Sequence, residues 1–213
     1  LKEAVKNLAK MERESRQLRR LETLIDVVFA IVIWRAFMLI PRPGEGGWNW
    51  DSITDMLASN ILTLVIVMIG VVVAIVYWLQ NNALFGNLER TDGFHTALSI
   101  LQIFFLLLFL YSIRVGATLE ASPGTRAFES CTAALVGIAA ALGWSYAIKN
   151  RRFVSADLTN EQARDLQIRI LAEPITALIT LPCAFIGPWI WEASWLLYPL
   201  IASLLKRRMK AGK

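Results

Sequence analysis

Histidine occurs once in this 213-residue chain, cysteine twice, and charged residues make up only 18% of it. One histidine, His95, expected in a loop, argues against a metal centre or proton relay built on imidazoles. Cys131 and Cys183 both lie inside apolar segments, where a thiol acts as a small hydrophobe and not as part of a disulfide framework. There is no nucleotide-binding loop, no Ser/His/Asp set and no zinc-protease pair. The expectation is therefore a protein that is not an enzyme and holds no metal or organic cofactor. The first twenty residues are highly charged and the first apolar segment lacks a small-residue cleavage site, so no signal peptide is expected, although the chain starts at Leu1 without Met.

What is abundant is apolar sequence: 56% of the residues are hydrophobic and the mean hydropathy is +0.50. The apolar runs are too long for barrel strands, which predicts an all-α polytopic membrane protein. The net charge of +5 is carried by loops and tails between apolar spans. That distribution orients a membrane protein and does not make a nucleic-acid-binding face.

Six transmembrane helices are expected. The first runs from Leu24 to Ile40 and is followed by a Pro/Gly-rich loop, Pro41 to Trp50, with Trp48 and Trp50 suited to the membrane interface. The second covers about Met56 to Leu79 and the third about Ala97 to Ile113, with a turn signal S-P-G-T in the loop between Arg114 and Arg126. The fourth, Phe128 to Ile148, is dominated by Ala and Gly, and small residues let helices approach closely, so it should be packed within the bundle. The polar segment 149–169 holds Lys149, Arg151, Arg152, Arg164 and Arg169, with Thr159 as the N-cap of a new helix. Ile170 to Ile186 and Trp189 to Leu205 form a closing hairpin through Gly187-Pro188, with Trp189, Trp191, Trp195 and Tyr198 as an interfacial belt. The domain division is a lead-in helix over 1–22, a membrane domain over 23–205 and a basic tail over 206–213. Within the lead-in, Val5, Leu8, Met11, Leu18 and Leu21 alternate with charge, as in a solvated helix or an amphipathic contact surface. The basic segments place both termini on the cytoplasmic side of the cell membrane.

The first span carries an acid, Asp26, and a base, Arg35. Charges at membrane depth cost roughly 2.5–3.5 kcal/mol each on insertion scales, so they face protein or water. A span that only anchors needs neither; this one lines something.

Two stretches carry a family resemblance. Arg20-x-x-x-Leu24-Ile25-Asp26, followed by Ala30-Ile31, resembles the R-x-x-x-F-S-D…A-I opening of the transmembrane-protein-175 family of potassium channels. Tyr77 to Phe85, Y-W-L-Q-N-N-A-L-F, resembles that family's second-span ending, W-L-x-H-H-x-L-F. The resemblance implies a homotetramer of six-span subunits in the lipid bilayer, conducting monovalent ions, K+ in particular, past the first helix of each subunit. Carried over residue by residue, the narrowest hydrophobic ring falls on Ile31, and the pore-facing positions beyond it on Arg35 and Met38. The family's small hydroxyl position falls on Trp34. Arg20, Asp26, Trp78, Asn81 and Asn82 are the implied support network behind the pore helix, with Asn81 and Asn82 standing where the family has His.

Residue chemistry at Trp34 and Arg35 departs from the pattern and leaves alternatives open. Arg35 either faces the axis, where a ring of guanidinium groups suits anions, or snorkels to the surface, or pairs with an acid such as Glu192. Arg20 marks the membrane boundary or supports the pore, and Asp26 braces a helix or supports the pore. An anion-permeable or non-conducting homologue is one alternative function. A proton-coupled transporter using Glu173, beside the helix-kinking Pro174, is another.

Overall fold

The computed structural model describes residues 2–40, 50–119 and 122–211. Among them every regular element is helical, and β pairing is limited to an isolated bridge between Leu88 and Val154. The helices are α1 (Lys2–Phe37), α2 (Ile53–Phe85), α3 (Gly93–Thr118), α4 (Pro123–Ile148), α5 (Asn160–Cys183), α6 (Pro188–Trp195) and α7 (Tyr198–Ala211), with a single 3-10 turn at Lys149–Arg151. The interfacial loop expected over Pro41–Trp50 falls, except for Trp50, outside the described residues.

Residues 1–40 contain neither Gly nor Pro, and the charged lead-in and the first apolar stretch accordingly form one unbroken helix of 36 residues, about 54 Å long. α2, α3, α4 and α5 are long and apolar enough to cross a membrane. α1 is not among those four; its apolar half carries Glu22, Asp26 and Arg35. The closing segment is also not one helix. Pro199 has no N–H to give the Trp195 carbonyl and its ring crowds that position, so α6 stops at Trp195 and α7 starts afresh at Tyr198. Leu196 and Leu197 close the break with tight bonds to Ala193 and Ser194.

The chain divides into two compact units, residues 22–83 and residues 1–21 with 84–213. In the first, Ile25 and Phe29 make the buried stripe of α1, one turn apart, and Val67, Val71, Ala74 and Tyr77 make that of α2. α2 leaves helical geometry at Asn60, whose buried amide donates to the Met56 carbonyl at 3.0 Å.

In the second unit α4 packs against both α3 and α5. Its Ala- and Gly-rich sequence is what allows this: Ala133, Ala134, Ala139, Ala140 and Ala147 are all buried. The stretch S-P-G-T, a turn signal in the sequence, is the start of this helix. Ser122 caps it through the Thr125 amide (3.2 Å) and Pro123 occupies its first turn, where a missing N–H costs nothing. Polar side chains stitch the core. Ser112 and Thr132 join α3 to α4 at 3.1 Å, and Thr180 of α5 donates to Ser130 of α4 at 2.8 Å. Trp191 also donates to Ser130, at 2.8 Å, which corrects the expectation of a purely interfacial Trp belt; Trp189 stays 81% exposed. Buried Arg126 places its guanidinium on the Ala184 carbonyl at the end of α5, where a positive charge complements the helix terminus.

α5 begins as the sequence predicts. Thr159 accepts from the Gln162 amide at 3.2 Å, and the Gln162 side chain accepts in return from the Thr159 amide at 2.9 Å.

Candidate functional site

The site is built on one face of α1. At about 100° per residue, Arg20, Leu24, Val27, Ile31, Trp34 and Arg35 gather on the side of the helix opposite Ile25 and Phe29, and Met38, in the turn just past its end, continues that side. All seven are exposed, with Ile31 at 51% and Trp34 at 58%. A helix segment this apolar, whose exposed side chains repeat at spacings of three and four, presents a continuous stripe. The four positions assigned by resemblance to the constriction and its outer layers, Ile31, Trp34, Arg35 and Met38, therefore share a single surface.

The structure brings together two of the residues that the resemblance assigns to a support network. Trp78 Nε1 on α2 donates to Asp26 Oδ1 on α1 at 2.9 Å. A carboxylate acceptor makes this a charge-assisted bond, and it fixes how α1 is rotated against α2 at that level. Asn81 is 1% exposed and turns its amide to the Tyr77 carbonyl of its own helix at 2.9 Å. Asn82 and Arg20 are exposed. Of the other candidate positions, Glu192 is exposed on α6, and Glu173 sits in α5 next to buried Pro174.

A second polar cluster, which the sequence reading missed, closes the ends of α3 and α4. Asp92 caps α3 by accepting from the His95 amide at 2.9 Å and also accepts from the Tyr146 hydroxyl at 2.8 Å. Arg152 lies 3.3 Å from the same carboxylate and stacks over the Tyr146 ring at 4.8 Å. Partial burial works against the charge on Asp92. The amide of His95, the Tyr146 hydroxyl and the Arg152 charge together outweigh it and hold its pKa below the ordinary value. His95 is not in a loop but in the first turn of α3, buried, with its Nδ1 2.8 Å from Thr91 Oγ1. The signal available in the sequence was D-G-F-H before an apolar run, an N-cap pattern. Among the described residues no group of three or more His, Cys, Asp or Glu could hold a metal ion.

No protein-family model matches the sequence, and neither does any curated protein. Solved structures do match. One is a lysosomal potassium-selective channel TMEM175 homolog from Chamaesiphon minutus, with a TM-score of 0.67 over 89% of this chain and 98% of that one. The chain has the TMEM175 fold. A second match is a variant of the potassium channel MtTMEM175, solved with a nanobody fusion, with a TM-score of 0.65 over 91% of this chain and 94% of that one. Identities are 16% and 20%, so the likeness is one of fold, and it spans nearly the whole of both TMEM175 chains. Together with four membrane-length apolar helices, this makes the chain a multi-pass membrane protein.

Proposed function

We propose that the chain is the subunit of an ion channel, assembled as a homotetramer in the cell membrane with α1 of each subunit around the central pore. The observation that carries this reading is the exposed stripe on α1, in a chain whose fold matches two proteins described as potassium channels. In this reading α1 is a fifth crossing and α6 with α7 makes the sixth, which returns the basic C-terminal tail to the cytoplasmic side with the N-terminus. The stripe is exposed in the subunit, and in the assembled channel it is closed by the same stripe of the other subunits.

Ile31 forms the narrow ring. A hydrophobic ring controls flow by dewetting, or by making an ion shed water without replacement ligands. The permeant ion is a monovalent cation, K+ by analogy with the TMEM175 proteins. Arg35 tunes this. Four guanidinium groups at ~8 Å spacing and an effective dielectric of 20 repel by about 2 kcal/mol per neighbouring pair, which favours anions at the outer mouth. Anion permeation is therefore the second reading, carried by the exposure of Arg35 on the same face as Ile31. Recording from purified protein in planar bilayers under a potassium chloride gradient tests both. A reversal potential at the potassium value is the expected result, one at the chloride value selects the second reading, and silence in the face of intact tetramers removes both.

A further inference from the structure

Between the end of α4 and the first turns of α5 lies a cavity of about 250 Å³, smaller than the roughly 300–1,000 Å³ of drug-sized sites. Its floor is apolar, with Val154 and Leu158 buried, and its rim carries Arg151, Asn160, Arg164 and Gln167. The last three stand at i, i+4 and i+7 on one face of α5. None of the lining residues is an acid, although Asp157, Glu161 and Asp165 lie in the same segment. Asn150 and Arg151 hold φ of 56° and 51°, a left-handed pair that non-glycine residues keep only where the surroundings enforce it. The Arg151 guanidinium does so. Its Nη2 donates to the carbonyls of Ser155 at 2.8 Å, Ala156 at 3.3 Å and Leu158 at 2.9 Å, and its Nη1 to Asn160 Oδ1 at 3.4 Å. Those bonds fix the group in the cavity wall and leave Nε–H without an acceptor among the described residues.

We propose that this cavity binds an anionic phosphate group, carried by a phospholipid headgroup or present as free phosphate. Two guanidinium groups with no carboxylate between them suit phosphate oxygens, which accept charge-assisted hydrogen bonds. α4 and α5 are both long and apolar enough to cross a membrane, so the segment that joins them lies at a membrane surface. Gln167 stands three residues before Ile170, where the apolar run of α5 begins. That is about 4.5 Å along the helix, within the roughly 5–7 Å of a headgroup layer. Basic pockets between transmembrane helices hold anionic headgroups in this way. The apolar floor below the charges matches the glycerol and first acyl carbons, which a free phosphate lacks, so the lipid is the better-fitting source. The site is independent of the pore and of the ion that permeates it.

The test uses the whole chain, delipidated in detergent. Short-chain phosphatidylglycerol and phosphatidylcholine are titrated by native mass spectrometry, and radiolabelled inorganic phosphate by equilibrium dialysis. Phosphatidylglycerol should fill a saturable site that phosphatidylcholine, with its cationic choline, does not. Arg164→Gln removes a charge from the rim, and Ala163→Phe fills the cavity with the charges intact. The Ala163 carbonyl, which accepts from Trp144 Nε1 at 3.2 Å, is main-chain and survives the change. Each substitution should weaken binding about tenfold or more, whereas Arg207→Gln, the same charge change at an exposed position of α7, should not. Arg151 is kept, because it staples the 155–158 backbone. Should one cavity variant fail to fold, the other decides alone. Inorganic phosphate retained by the parent and lost in the cavity variants, without preference between the lipids, assigns free phosphate as the source. No lipid preference and no retained phosphate together overturn the site. So does binding that survives Arg164→Gln or Ala163→Phe, and so does an equal loss in Arg207→Gln, which would mean attraction to surface charge at large.

Discussion

Gly137 of α4 and Pro174 of α5 touch so closely that a Cβ placed on Gly137 would stand 2.5 Å from the proline Cδ and 3.0 Å from its nitrogen. Pro174 interrupts the hydrogen-bond ladder of α5, and the missing side chain opposite accommodates the ring. The two residues form one joint. Gly137→Ala should therefore push the helices apart and cost about 1–3 kcal/mol, the range for overpacking a core. Thermal unfolding in detergent, read on the tryptophan signal, checks this. Gly70→Ala on α2, where an added Cβ meets nothing within 4 Å, is the control and should leave the midpoint unchanged or raise it.

The Trp78–Asp26 bond joins two of the residues that the resemblance assigns to the support of α1. Trp78→Phe removes the donor and keeps an aromatic ring. Because Asp26 is exposed, the expected loss is about 1 kcal/mol, not the larger figure for a buried charged acceptor. In a double-mutant cycle with Asp26→Ala the coupling should be of that size. Additive effects would mean that the bond contributes nothing in solution.

Acid should weaken the α3–α4 closure through Asp92. Its folded-state pKa lies below the ordinary value of 3.8, so its contribution is complete above that value and is lost as pH falls through the lowered one. Wild type should melt at a higher temperature than Asp92→Asn at neutral pH, and the gap should narrow as pH drops below 3.8. A gap that is constant down to the lowest pH at which the protein stays soluble would assign the difference to something other than the charge.

Ile31→Ala should widen and wet the proposed ring and raise single-channel conductance, whereas Ile31→Trp should lower it. Both variants should assemble normally, since Ile31 is half exposed in the subunit. Currents indifferent to both substitutions would place the constriction elsewhere on α1.

Arg35→Leu tests selectivity. A guanidinium does not readily deprotonate, so an axial ring of them holds a positive potential at every accessible pH. Removing it should raise potassium conductance or move the reversal potential toward the potassium value, with an unchanged melting temperature. If Arg35 instead pairs with Glu192 in the assembled protein, the same change strands an acid and costs about 3–5 kcal/mol. Unchanged melting and unchanged selectivity together would assign Arg35 to the membrane surface.

The sequence by itself determined the helical class, the membrane-length apolar helices, the cap at Thr159 and the burial of the Ala/Gly helix α4. Each of these depends on neighbours within a few turns: hydrophobic period, capping residues and side-chain volume are local properties. Even the break between α6 and α7 was written in Pro199, although the apolar run around it read as one span. The choice of polar partners was not legible. That Trp191 reaches Ser130, that Asp26 meets Trp78, that His95 is buried against Thr91, and that Gln17 donates to Thr96, all depend on pairings between residues as many as 79 positions apart. Such partners satisfy a buried donor or acceptor equally well from many positions in the chain, so only the packing of the helices decides which one is in reach.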